Sequence, residues 1–354
     1  MRSNGLSRRE ILQGAAASAA GAVLAEPLRA ARPEPSVVTA ALIEAARREG
    51  RVAFYSAIDL AVSEKIARAF ETRYPGIAVR VERTGAERVF QRIAQEQASG
   101  IHAVDLVCST DAAHFVSWKR SGWLAPHVPI DVVEHLPPEQ CDADGMYATS
   151  CASLCTIGYN TSLVKADEAP TSYADLLDAK WKGRIVKAHP AYSGTILTAT
   201  FLMVRALGWA YFEKLAAQRI MQVQSAGDPP RKLALGERAI QVDGADSVLL
   251  MLKEQGQPLE IVHAAEGSPL IVTPSAVFAS APNPNAARLL QNFLFSPEGQ
   301  KLLVDNARHS FHRQVAPKPG RPLLTAVKLM TCDPAEIESQ SEDIKRRYAS
   351  IFRV

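Results

Sequence analysis

No G-x-S-x-G, H-E-x-x-H, G-x-x-x-x-G-K-[S/T] or G-x-G-x-x-G occurs in the 354 residues. This excludes the common local signatures of nucleophile-elbow hydrolases, zinc proteases, P-loop NTPases and dinucleotide-binding domains. Cysteine is scarce and irregularly placed. Cys108, Cys141, Cys151, Cys155 and Cys332 contain no C-x-x-C pair, and an odd count in apolar settings reads as mostly buried thiols. Cys151 and Cys155 stand four apart in an extended stretch, about 13 Å at strand rise, too far to pair. A Cys141–Cys151 hairpin disulfide stays open. Cys151 or Cys155 with His189 could be cast as nucleophile and base, but no carboxylate is placed to orient them. We therefore expect neither an enzyme nor a cofactor. Aromatic residues are few, 6 %, and no Lys/Arg cluster is interleaved with them, so no nucleic-acid surface is expected.

What is present begins with an export pattern. Ser7-Arg8-Arg9-Glu10 precedes the apolar run Ile11–Ala25, which is too short and too weakly apolar to span a membrane and exits through small residues at Val23-Leu24-Ala25. This order predicts a cleaved twin-arginine-type signal over residues 1–30 and a mature protein in a periplasm. Arg2, Arg8 and Arg9 leave with the signal, so the net charge of +3 overstates the basicity of the mature protein. About 320 residues remain, enough for two packed domains.

Strands and helices then alternate. Arg51–Tyr55, Ile77–Glu82 and Val104–Cys108 read as strands, with helices over 58–74, 87–100 and 112–122 between and after them. This order predicts a mostly parallel sheet covered on both faces. The strand ends deliver Ser56-Ala-Ile-Asp59, Thr84-Gly85 and Ser109-Thr110-Asp111 to one side, where open parallel sheets bind ligands. Beyond four prolines (126, 129, 137 and 138) the pattern resumes with strands over 147–159, 185–187, 239–242, 261–263 and 270–278. Helices are expected over 196–207, 229–235, 285–295, 297–306 and, in the tail, 334–348.

Two strand-to-helix junctions stand out. At Gln241–Met251, Asp243, Gly244, Asp246 and Ser247 lead into a helix beginning near Val248; capping by Asp246 or Ser247 and ligand binding are both open. At Tyr192-Ser193-Gly194-Thr195 the same choice arises, with Ser193 as the candidate cap. Arg231 could be a bidentate anion clamp or a solvated helix residue. Tyr55 and Tyr192 could touch a ligand or belong to the core.

Several phrases together resemble a known family: Phe70–Val79, Asp105–Ser109, Gly158-Tyr-Asn-Thr161, Trp181-Lys-Gly-Arg184, Gly236-Glu237, Pro282–Ala287 and Phe293–Gln300. The set is similar to periplasmic solute-binding proteins of ABC importers, in the extracellular family 1 group that includes ferric-binding-protein-type members. The resemblance implies an α/β, two-lobed type II binding-protein fold whose lobes are mixed, mostly parallel sheets flanked by helices. It also implies a ligand in the interlobe cleft, hinge closure, and docking on an inner-membrane permease with its ATPase. Iron-binding members present adjacent tyrosines where this chain reads Asp246-Ser247, so metal capture ranks below capture of a small organic solute, and no metal is assigned. Asp59, Asp243 and Asp246 could still form an oxygen cluster for a hard cation.

The expected organisation is a first lobe from 36–110 and 244–275, a second from 111–243 and 276–310, and a helical tail over 311–354. Chain crossings are expected near Ser109 and near Gln241–Gly244. The candidate ligand-binding residues are Ser56, Asp59, Thr84, Ser109, Thr110, Tyr192, Ser193, Gly194, Thr195, Arg231, Asp243, Asp246 and Ser247. Their hydroxyls and N–H groups suit phosphate, phosphonate, sulfonate or carboxylate oxygens, and their carboxylates suit an amine. The expected ligand is thus an anion or a zwitterion, bound by a monomer. A ferric-iron or other metal carrier, and a partner of a membrane sensor, are the alternatives.

Overall fold

A computed structural model of the chain describes residues 33–354; the expected export signal lies outside them. The first helix, α1 (Ala40–Glu49), has no counterpart in the sequence reading. Thr39 caps it by accepting from the Leu42 N–H, and Gly50 ends it at φ 70°, in the left-handed region that glycine adopts without strain. The expected alternation follows: β1 (Arg51–Ser56), α2 (Leu60–Arg73), β2 (Ala78–Arg83), α3 (Ala86–Ala98), β3 (Leu106–Cys108), α4 (Ala112–Arg120), β4 (Leu124–Ala125) and α5 (Ile130–His135). The middle of the chain forms β5 (Ala148–Asn160), β6 (Ile185–Ala188), α6 (Gly194–Leu207), α7 (Trp209–Ala216), β7 (Met221–Val223), α8 (Asp228–Ala234), β8 (Ile240–Ala245) and α9 (Asp246–Glu254). Then come β9 (Leu259–Val262), β10 (Ser268–Phe278), α10 (Pro284–Phe295), α11 (Pro297–Asp305), β11 (Leu329–Met330) and α12 (Pro334–Phe352).

The strands lie in the order β2-β1-β3-β10-β5-β8-β6-β7. β1 is parallel to β2 and β3, and β6 is parallel to β7 and β8. Neighbouring residues of a strand face opposite ways. Phe54 joins a core with Ile66, Phe70, Leu106, Leu290 and Phe293, whereas Tyr55 joins another with Val107, Phe115, Trp118 and Phe278. Tyr55 is therefore core, its hydroxyl donating to Glu96 at 2.9 Å. A separate core of Ile157, Ile185, Ile240, Val242, Phe201 and Phe212 serves the other end of the sheet.

Two long strands join these ends. β5 runs antiparallel to β10 over Ala148–Leu154, then changes partners to β8 and β9 from Cys155 onward. β10 continues from β5 onto β3, and its ladder with β5 slips between Thr273 and Pro274.

This arrangement corrects the expected lobe boundaries and crossings. Segment 112–125 belongs with the first lobe, because Phe115 and Trp118 pack with Tyr55 and β4 pairs with Phe278. Helices α10 and α11 belong there too, through Leu290, Phe293 and Leu303. Conversely, Gly244 and Ala245 pair with Thr156 and Cys155, and β9 pairs with the end of β5, placing 244–262 in the second lobe. The crossings are β5 and β10. Ser109 instead donates its N–H to the Pro274 carbonyl, and Gln241–Gly244 lies inside β8.

The tail spans both lobes. After a strap over 313–333, α12 packs on α4 of the first lobe and on α6 and α7 of the second. Tyr348 is fully buried in the second lobe's core. Glu338 accepts from Ser117 at 2.8 Å and from both Arg120 amino groups at 2.8 and 2.6 Å, while Glu336 accepts from Arg205 at 2.8 Å.

Candidate functional site

The loops after β1, β2 and β3 lie side by side, with the Thr84 N–H donating to the Ser56 carbonyl and the Ala57 N–H to the Cys108 carbonyl, and those after β2 and β3 approach the loop after β6. Asp111 caps α4, its Oδ1 accepting from the Ala113 N–H at 3.1 Å, and stands directly against Gly194 at the start of α6. Gly85, before α3, faces the Tyr192 carbonyl: a Cβ there would lie 3.6 Å from that oxygen. Thr110, Ser193 and Thr195 line this seam and are buried. Asp111 Oδ2 is also buried and makes no hydrogen bond; His114 Nε2 lies 3.5 Å from it.

Gly194 fits this seam because it lacks a side chain. A Cβ would lie 2.5 Å from Asp111 Cβ and 2.8 Å from Oδ2, closer than real atoms approach. Gly194→Ala is therefore expected to push the lobes apart, raising the radius of gyration in solution scattering and weakening ligand binding about tenfold or more by depleting the closed state. An unchanged scattering profile and affinity would show that the seam gives way locally instead.

Most of the candidate side chains make local contacts of their own in this conformation. The Ser56 hydroxyl bonds Ser63 Oγ at 2.9 Å and accepts from the Ile58 N–H at 3.1 Å, shaping the turn after β1. The Thr84 N–H donates to the Ser56 carbonyl. Ser109 Oγ accepts from the Asp111 N–H at 3.5 Å. Ser193 does cap its helix, accepting from the Ile196 N–H at 3.4 Å. Tyr192 is exposed beside the His189 ring. Arg231 is half exposed and pairs with Asp228 of its own helix at 3.6 Å.

The acidic candidates do not form an oxygen cluster. Asp59 pairs with Arg308 at 2.7 Å. Asp243 points into the core as part of β8, where its Oδ2 accepts from the fully buried Lys187 ammonium at 2.6 Å. Burial raises the Asp243 carboxyl above the usual range while Lys187 opposes that rise. Asp246 opens α9, yet neither it nor Ser247 caps that helix; Ala245 holds the cap position without a side-chain bond. Asp246 instead accepts from the Leu154 N–H at 3.0 Å and contacts His309 Nε2 and Arg321. Burial disfavours its charge, but Arg321, His309 and the Leu154 amide outweigh this and hold it at about 2. Ser247 Oγ is buried without a partner.

Sequence reading placed Asp111 on the ligand side without naming it a candidate, and it missed Lys187, Arg308, His309 and Arg321. The last three come from the segment after α11, about 250 residues from Asp59 and 60 to 75 from Asp246, and no local pattern connects them. Arg308, His309 and Arg321 also line a cavity of about 1170 Å³ beneath the strap, against Thr149, Leu270, Val272 and Pro274 of the crossing strands. None of the expected ligand residues lines that cavity. Besides the strap and the crossing strands its walls include residues of 137–142, Ala112 of α4 and Thr198 of α6; the seam, where helix N-termini and hydroxyls converge, is the better candidate for a small anion.

The cysteine chemistry considered from the sequence is not supported. Cys151 and Cys155 are buried free thiols, so the bridge between Cys151 and Cys141 is not formed. Burial raises both thiols, Cys155 well above its ordinary value, which keeps them protonated and poorly nucleophilic.

Residues 65–308 match the family of bacterial extracellular solute-binding proteins. The chain belongs to this family. The binding protein is 27 % identical over 242 residues, 65 % of its own length and 68 % of the relative's, to the "Putative 2-aminoethylphosphonate-binding periplasmic protein" of Salmonella typhimurium. Its fold is similar to that of AfuA from Actinobacillus pleuropneumoniae, solved with exogenous fructose-6-phosphate bound (TM-score 0.79, 23 % identity, 86 % of this chain and 99 % of that one). It is also similar to iron-bound HitA from Pseudomonas aeruginosa (TM-score 0.74, 20 % identity, 84 % and 99 %). The two-lobed architecture is that of a type II periplasmic binding protein, and the binding protein is the solute-binding component of an ABC importer.

Proposed function

We propose that this protein captures a small anionic or zwitterionic organic molecule, such as a phosphonate or sugar phosphate, at the interlobe seam and delivers it to an inner-membrane permease and its ATPase. The observation that carries this reading is the N-terminus of α6. Ser193-Gly194-Thr195 opens a fourteen-residue helix there and lies directly across from Thr110-Asp111. Amide groups at a helix start, short hydroxyls and a close backbone approach suit phosphoryl or phosphonyl oxygens. Asp111 Oδ2, without a hydrogen bond at the same seam, would complement an amine on the ligand. Relatives named for 2-aminoethylphosphonate or solved with fructose-6-phosphate are consistent with this chemistry. An iron site is less favoured, because Asp246-Ser247 replaces tyrosines and Asp246 is already neutralised by Arg321. Ser56, Thr84 and Ser109 support the loops that form the rim. We place the mature protein in the periplasm, exported by its twin-arginine-type signal and acting as a monomer.

A thermal-shift screen of the mature protein tests this reading. An organophosphonate or sugar phosphate is expected to raise the midpoint, since a ligand confined to the folded state stabilises it by mass action. Ser193→Ala with Thr195→Ala is expected to abolish the shift. A midpoint that responds to ferric iron and to none of the organic anions would overturn the proposal.

A further inference from the structure

We propose that Asp131, His135 and His312 form a cation site of the zinc class, separate from the interlobe seam. Asp131 and His135 lie four residues apart on α5, which places both side chains on one face of that helix. His312, immediately before the strap, comes against the same face. One ligating atom from each residue lies within 4.8 Å of the other two, and His312 Nε2 is 3.6 Å from Asp131 Oδ1.

Burial distinguishes this cluster from an ordinary surface group. The His312 side chain is fully enclosed, and its Nε2 makes no hydrogen bond. Asp131 and His135 are 23 % and 20 % exposed, so they form a rim through which a cation can enter and have room to close around it. Two imidazoles and one carboxylate are the ligand types of three-coordinate protein zinc sites, with bonds of about 2.0–2.2 Å and a fourth position left to water. Glu134, whose carboxylate lies 3.7 Å from His135 Nε2, adds negative charge at the mouth. The Gln314 N–H donates to His312 Nδ1 at 3.3 Å, which leaves the neutral ring's proton on Nε2. Cation binding at Nε2 moves that proton to Nδ1 and gives up this long contact.

The consequence is mechanical. The Arg313 N–H already donates to the His135 carbonyl, so the strap leaves α5 at this point. A bound cation fixes the residue just before the strap to α5, whose Val132 packs in the first lobe's core.

Isothermal titration of chelator-stripped mature protein with zinc chloride tests the site. One equivalent is expected to bind, with a higher thermal midpoint. His135→Ala and Asp131→Asn, both on the rim, are expected to weaken zinc binding at least about tenfold, with midpoints in chelator close to that of the unaltered protein. Nickel or cobalt is expected to substitute and magnesium to fail, as the nitrogen ligands dictate. Zinc binding that is absent, or equally tight in both variants, would overturn the proposal. Neither substitution touches the seam, so the response to organic anions reports separately on the solute site.

Discussion

Asp246→Ala is expected to remove about 3–5 kcal/mol of folding stability, as is usual when one partner of a buried ion pair is deleted. Arg321 and Asp246 are both nearly inaccessible, with side-chain exposures of 5 % and 2 %, so the guanidinium left behind loses its counter-charge in a largely buried setting. The Leu154 N–H would lose its acceptor at the point where β5 changes partners. Urea denaturation measures the loss; a change below about 1 kcal/mol, the range of exposed pairs, would mean that Arg321 finds water or another acceptor. The pH dependence has a defined sign. The folded carboxyl sits at about 2, below its ordinary 3.8. Its contribution, on the order of 2 kcal/mol, is complete above that ordinary value and is lost as pH falls through about 2. Asp246→Asn should keep the Leu154 contact, lose less stability and lack this acid-dependent component.

Lys187→Met is expected to cost a similar amount, about 3–5 kcal/mol, by leaving Asp243 without its counter-charge in the core. Lys187 also contacts Thr200 Oγ1 and the Ala188 carbonyl at 3.3 Å, and its ammonium lies 5.0 Å from the centre of the Tyr348 ring. The single variant therefore loosens α12 as well as the sheet. Combining it with Asp243→Val should recover most of the loss, because a buried pair replaced by apolar groups of similar size is often neutral. A thermodynamic cycle through both single variants and the double provides the measurement. A double variant no more stable than Lys187→Met would show that the charge pair is not the main term at this position.

Much of the fold was legible because burial on two faces leaves a local trace. Val52–Tyr55 and Leu106–Cys108 are continuous apolar runs, and Pro75-Gly76 ends a helix where the periodicity does. The partner change within β5 leaves no such trace, since an apolar residue at Leu154 or Cys155 is required whichever strand lies beside it. For that reason residues 147–159 could be read as a strand without revealing it as a crossing. The proposed solute site has a local trace at Ser193-Gly194-Thr195, whose hydroxyl and glycine content marks a helix start. Asp243 and Asp246 look alike in sequence, being short carboxylates next to a helix, but Lys187 and Arg321 neutralise them. Those partners lie 56 and 75 residues away, beyond any local pattern.

The strands β5 and β10 constrain how this protein can move. A loop crossing would let the lobes swivel and slide, whereas two antiparallel strands in one continuous sheet resist shear along their length and stretch across their ladder. They yield most readily to bending, and the line of least resistance is already drawn. Pro274 offers no N–H at the slip in the β5–β10 ladder, and β5 passes from one partner to another at Leu154 and Cys155. The molecule is thus closer to card scored along a crease than to a pair of jaws on a pin: one direction is soft and the others are stiff. Closure along that crease would return Asp111 to Gly194 along the same arc, and so would align the two sides of the seam without a separate guiding element.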